Sequence, residues 1–141
     1  MSWVHDNIIL SYNVDFKSEV LVIKTEYHVR EICEDTDVIF TGFLTHDFKH
    51  VMKGSMILDI EEYPLDRFLE ESRELLEENK NCLWPFPVFD ICKEKYKEKV
   101  TDYIQTNQYK VFLIYSSMGL NGWVLAKQMD IFVNGQLICD E

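Results

Sequence analysis

The sequence is short of several things, and each shortage closes off a class of function. It has four cysteines, Cys33, Cys82, Cys92 and Cys139, and no Cys-x-x-Cys pair. Structural zinc frameworks show short paired spacings, so these cysteines do not read as one. A chain with a full core needs no disulfide staples either, and free thiols buried as small hydrophobes are expected. No apolar run approaches the roughly 20 residues of a membrane-spanning helix. The first sixteen residues lack a basic segment and are interrupted by His5, Asp6 and Asn7, which does not read as a secretion signal. A cytoplasmic location is expected.

Glycine is sparse, and Gly42, Gly54, Gly119 and Gly122 are not spaced as a phosphate-binding loop. Ser116-Ser117-Met118-Gly119 lacks the glycine that precedes the serine in a nucleophile elbow. Positive charge is scarce as well. Fourteen basic residues face 25 acidic ones, giving a net charge of −11. That balance repels nucleic acid and anionic membranes and favours a cationic partner.

What is present suits one folded domain. The chain has 141 residues, 47% of them hydrophobic and 13% aromatic, enough for a single sizeable core. Neither an internal repeat nor a low-complexity linker divides it. Ile8, Leu10, Tyr12, Val14 and Phe16 alternate with polar residues and predict a strand, with those five on one face. A turn at residues 17–19 and a second strand over 20–28 predict a hairpin. Residues 30–37 (REICEDTD) read as a loop. Val38, Phe40, Gly42 and Leu44 mark a third strand, and Met56, Leu58 and Ile60 a fourth. The apolar run 109–115 predicts a central strand covered on both faces. Residues 123–133 read as extended, and Asn134-Gly135 signals a hairpin turn.

Two amphipathic helices are expected between those strand groups. Pro64 suits a helix start, and Leu65, Phe68, Leu69, Ser72 and Leu76 recur with helical spacing. A second helix carries Tyr96, Val100, Tyr103 and Ile104 inward, with Asp90 as its cap and Lys93, Lys95, Lys97 and Lys99 outward. Between the helices, residues 79–90 hold Trp84, Phe86 and Phe89 in a loop broken by Pro85 and Pro87, and these aromatics are expected to lie against the core as an ordered lid. The expected class is α+β: one domain, a largely antiparallel sheet of about six strands, and two helices inserted before the last strands.

The densest charge lies in residues 59–78, where nine acids face two bases, a local net of −7. Glu77 and Glu78 oppose the helix dipole, and rows of like charge three and four apart weaken a helix. Local helix stability does not account for the pattern. Recognition of a basic partner does, with solubility as the plainer explanation. The candidate partner-binding residues are Asp59, Glu61, Glu62, Tyr63, Asp66, Glu70, Glu71, Glu74, Glu77, Glu78 and Trp84. Tyr63 and Trp84 are the aromatics that would add binding energy to charge.

Other constellations are weaker. His46 and His50 have a metal-like spacing, but no helix surrounds them and no third ligand is fixed, although Asp47 and Asp59 are nearby in sequence. Asp59 and Glu61 share a strand face and form a candidate acid and base pair, for which a solvated edge is the plainer reading. No catalytic residue, metal ligand or cofactor is assigned.

The segments 42–48 (GFLTHDF) and 55–62 (SMILDIEE) resemble small bacterial immunity proteins of polymorphic or contact-dependent toxin systems. The resemblance covers mainly residues 4–63 and the region of Trp123. It implies a cytosolic protein that binds one toxin domain and blocks it, with nucleases that carry basic clefts among such toxins. His46, Asp59 and Glu61 match the pattern, but these families share no universal motif and no residue role is carried over. The reading is a non-enzymatic protein-binding module. The alternative is a small enzyme or ligand-binding domain with a pocket under the Trp84 loop, and a blander one is a subunit of a homo-oligomer.

Overall fold

A computed structural model describes residues 4–79, 83–84 and 96–138, with 96–99 described by backbone alone. Nine strands and three helices are seen among them, an α+β arrangement in which the sheet dominates. The strands are β1 (Ile8–Asp15), β2 (Val20–Val29), β3 (Ile32–Thr41), β4 (Thr45–Lys49), β5 (Met56–Tyr63), β6 (Lys110–Met118), β7 (Asn121–Ala126), β8 (Gln128–Val133) and β9 (Gln136–Ile138). The helices are α1 (Leu65–Glu71), α2 (Arg73–Glu78) and α3 (Tyr96–Thr106). All neighbouring strands pair antiparallel, in the order β4-β7-β6-β5-β1-β2-β3-β8-β9.

The sheet turns back on itself. β3 pairs with β8, and beyond Gly42 and Lys127 the same two chain segments continue as β4 and β7 and pair again. Lys127 N–H donates to Thr41 O at 2.9 Å and Leu44 N–H to Leu125 O at 2.8 Å, so the ladder continues around the corner. Strands that pass between packed sheet halves commonly bend in this way. Leu21, Ile23, Val38 and Phe40 of one half thereby meet Ile57, Phe112, Ile114 and Val124 of the other. Phe40 and Phe112 rings lie 5.4 Å apart in this inner core.

A second core covers the outer face of β6 and β7. There Val111, Trp123 and Leu125 pack under Phe68, Leu69, Leu76, Trp84, Val100 and Ile104. Strand alternation makes this possible, since Val111 and Leu113 point one way and Phe112 and Ile114 the other. β6 is therefore covered on both faces over Val111–Ile114, as its apolar run predicts, but not from Tyr115 onward. Each fully buried large side chain contributes roughly 1.5–3 kcal/mol of transfer free energy.

Several expectations are corrected. The sheet has nine strands rather than six, partly because residues 32–37 extend β3 instead of forming a loop. Most of their polarity, Cys33, Asp35 and Asp37, belongs to the outer face of a hairpin whose turn is set by Arg30 at φ 57°, while Thr36 is buried. In β1 a bulge between Ile9 and Ser11 breaks the alternation. Ile9 and Val14 pack on the core, Leu10 is 57% exposed, and Phe16, beyond the strand end, is 78% exposed. The first helix is interrupted at Ser72, with φ −98° and ψ 11°, and neither segment has a side-chain cap. Bonds from Ser72 N to Phe68 O and from Leu76 N to Ser72 O still bridge the break, so both segments keep one inward face. Asp90, Phe86, Phe89 and the side chains of Lys93, Lys95, Lys97 and Lys99 lie outside the described residues. The Asn-Gly turn is present, with Val133 opposite Gln136 and both turn residues at positive φ.

Two substitutions test this packing by chemical denaturation. A Cβ on Gly122 would meet Asp47 O of the paired strand at 2.0 Å, so Gly122→Ala is expected to cost about 3 kcal/mol. Thr36 Oγ1 is buried without a hydrogen-bond partner, while its carbonyl accepts from Thr25 Oγ1 at 2.7 Å. Thr36→Val keeps the shape and removes the orphaned hydroxyl, and is expected to stabilise by about 1 kcal/mol. A neutral or opposite shift in either variant contradicts the packing described.

Candidate functional site

The acidic residues of β5 divide by strand parity. Asp59, Glu61 and Tyr63 share the outer face, opposite Tyr115, Leu113 and Val111 of β6. Glu62 points the other way and pairs with Lys110, whose Nζ lies 3.7 Å from its Oε1. α1 begins just after β5 and lays its side chains along the same outer face. Tyr63 Oη donates to both carboxylate oxygens of Glu71, at 2.7 and 3.0 Å. Tyr115 Oη donates to Glu61 Oε1 at 3.2 Å. Asp59 Oδ1 accepts the backbone N–H of Ile60 at 2.8 Å.

The result is two carboxylates, Glu61 and Glu71, each held by a phenol, with Asp59 fixed by a backbone N–H on the same strand face. Arg67 is the cation among them, 5.6 Å from the Tyr63 ring centroid and 3.6 Å from Glu71 Oε1. An exposed pair of this kind adds little stability. The phenols register the local charge. The Glu71 hydrogen bond, then burial, push Tyr63 above the usual tyrosine range. Burial, then the charge of Glu61, do the same to Tyr115. Carboxylates fixed in this way accept charge-assisted bonds from arginine or lysine without first losing side-chain freedom.

The remaining candidates fall elsewhere. Asp66 accepts from Gln105 Nε2 of α3 at 2.7 Å. Glu70, Glu74, Glu77 and Glu78 are exposed along α1 and α2. Trp84 is 5% exposed and belongs to the outer core, so it does not stand on the surface as an anchor. Next to it, Asp47, Lys49, Leu75, Asn79, Leu83 and Trp123 line a cleft of about 240 Å³. That is smaller than typical ligand pockets of roughly 300–1,000 Å³. Sequence reasoning missed Tyr115, which it placed within a wholly covered strand. Only the β5–β6 register reveals that the last residues of β6 outrun the helices.

His46 is half-buried at the edge of the inner core. Its ring packs against Phe48 at 4.7 Å, Phe43 at 5.5 Å and Tyr12 at 6.3 Å. Asp47 points to the opposite face of β4, where it lines the cleft, and His50 is exposed at φ 58°. Strand alternation separates Asp47 from His46, and His50 lies beyond the end of β4, so the residues grouped as metal ligands do not converge. Cys33 is exposed, against the expectation of buried thiols, and the other cysteines lie outside the described residues. No described helix is long and apolar enough to cross a membrane. No family model, curated protein or solved structure matches the chain.

Burial holds the His46 imidazole below the usual histidine range, with Asp47 pulling weakly the other way. The neutral ring is therefore favoured by folding. Its contribution is complete above the unfolded value near 6.5 and is lost as pH falls towards the lower folded value. The urea midpoint of the native protein should drop between about pH 7 and pH 5, and drop less in His46→Phe. Identical pH profiles for the two proteins would mean that the His46 ring is not desolvated by its neighbours.

Proposed function

We propose that this protein is a non-enzymatic binding module whose outer β5–β6–α1 face receives a cationic protein, in the manner of an immunity protein that neutralises a basic toxin domain in the cytoplasm. The observation that carries the reading is the pairing of Tyr63 with Glu71 and Tyr115 with Glu61. Glu61 is held against Tyr115 on the β5–β6 strand pair, and Glu71 of α1 is held against Tyr63 of β5, so two carboxylates meet aromatic partners on this face. Such a face suits a basic partner by charge and supplies tyrosines as anchors. It extends the local excess of negative charge already evident in residues 59–78.

The partner co-purified from the producing cells provides the test. Its association rate should fall about tenfold or more between low and physiological salt, as for electrostatically steered encounters. Glu61→Lys combined with Glu71→Lys should weaken binding by at least about 100-fold, since charge pairs at such interfaces are worth several kcal/mol. Changing Glu70, Glu71 and Glu74 together to Lys should abolish it. Glu62→Lys, on the other face of β5, should change affinity little. An affinity that tracks Glu62 and ignores Glu61 and Glu71 would move the interface elsewhere.

A further inference from the structure

The β2–β3 hairpin carries a different constellation, away from the acidic face. Its register sets His28 opposite Cys33 and Glu26 opposite Asp35. Residues two apart on a strand share a face, and directly opposed residues share it too. Glu26, His28, Cys33 and Asp35 therefore form a two-by-two block on the outer face, beside the turn. Thr25 and Thr36 point inward and are buried, which fixes the parity.

Three donor atoms of different chemistry converge there. The Glu26 carboxylate oxygen, His28 Nε2 and Cys33 Sγ all lie within 4.8 Å of one another. Cys33 Sγ is 3.7 Å from His28 Nε2, and Glu26 Oε1 contacts the same nitrogen. A tetrahedral zinc ion with Zn–S of about 2.3 Å and Zn–N of about 2.0 Å places its sulfur and nitrogen ligands roughly 3.5 Å apart. The observed spacing matches that edge of the tetrahedron.

We propose that Glu26, His28 and Cys33 bind a zinc ion at the tip of the β2–β3 hairpin, with the fourth position open to water. A thiolate and an imidazole select a borderline-soft metal over magnesium or calcium, which prefer oxygen ligands alone. The thiolate and carboxylate together balance the charge of Zn²⁺, while Asp35 on the same face adds a further negative charge. Cys33 and His28 are exposed, so the ion reaches the site without any opening of the fold. Bound metal would tie the two strands together where the hairpin leaves the core. Neither this proposal nor its test depends on the acidic face.

The test uses the full chain, kept reduced, with Zn²⁺ in competition against a chromophoric chelator and Co²⁺ as a spectroscopic probe. One equivalent of Zn²⁺ should bind, and Co²⁺ should show a thiolate charge-transfer band. Cys33→Ser and His28→Gln should each weaken Zn²⁺ binding by about 100-fold or more, and Cys33→Ser should abolish the band. Circular dichroism should be unchanged, because both side chains face solvent. A variant with Cys82, Cys92 and Cys139 all changed to Ser should retain binding. Zinc binding that survives Cys33→Ser, binding that disappears with the other three cysteines, or wild-type binding weaker than about 1 mM would each overturn the proposal.

Discussion

The architecture depends on one corner. At Gly42 and Lys127 two paired chain segments leave one half of the sheet and enter the other, and the halves can face each other only because both bend there. Gly42 stands at φ 63°, and a Cβ in its place would meet the Lys127 side chain at 2.7 Å. Any other residue would be strained by its backbone and crowded by its neighbour. Lys127 N–H, by bonding to Thr41 O, keeps the ladder intact through the turn. Without that corner, Phe40 and Phe112 would belong to separate surfaces of an open sheet.

Closure at the corner determines what remains for the helices. The inner face is filled by the sheet itself, and among the described residues the helices cover the outer face of β6 and β7. Phe68, Leu69, Leu76, Val100 and Ile104 cover it, with Phe68 and Trp123 rings 5.0 Å apart. Because α1 starts directly after β5, it docks beside that strand and brings Glu71 to Tyr63. The acidic face is thus a consequence of chain order combined with sheet curl. Its carboxylates are kept at the surface because charge is costly to bury, while the tyrosines beside them bury part of their rings.

The outer face of the other half is not covered by the described helices, and its composition shows it. Lys24 and Asp37 lie opposite each other, followed by Glu26 with Asp35 and His28 with Cys33. Beneath them the core stays apolar apart from a short polar chain in which Asn7 Nδ2 donates to Thr25 Oγ1 at 2.9 Å and Thr25 to Thr36 O. That chain links Asn7, just before β1, to β3 through Thr25 of β2. It helps fix the register that places the hairpin tip side chains together.

The sequence by itself determined the α+β class, the central strand at residues 109–115, the Asn-Gly turn and the inward helical residues Phe68, Leu69, Leu76, Val100 and Ile104. Each rests on local chemistry: continuous apolarity, a turn that demands positive φ, or a 3.6-residue period. It also located the excess of negative charge. Strand parity already put Asp59 with Glu61, but only the tertiary structure brought Glu71 of α1 to Tyr63 and Tyr115 to Glu61, and only the bulge in β1 sent Leu10 outward. Trp84 went to the core and Tyr115 to the surface for the same reason, since burial depends on what another part of the chain covers. The meeting of Glu26, His28 and Cys33 likewise arises from hairpin register, a cross-strand pairing that no periodicity within either strand encodes.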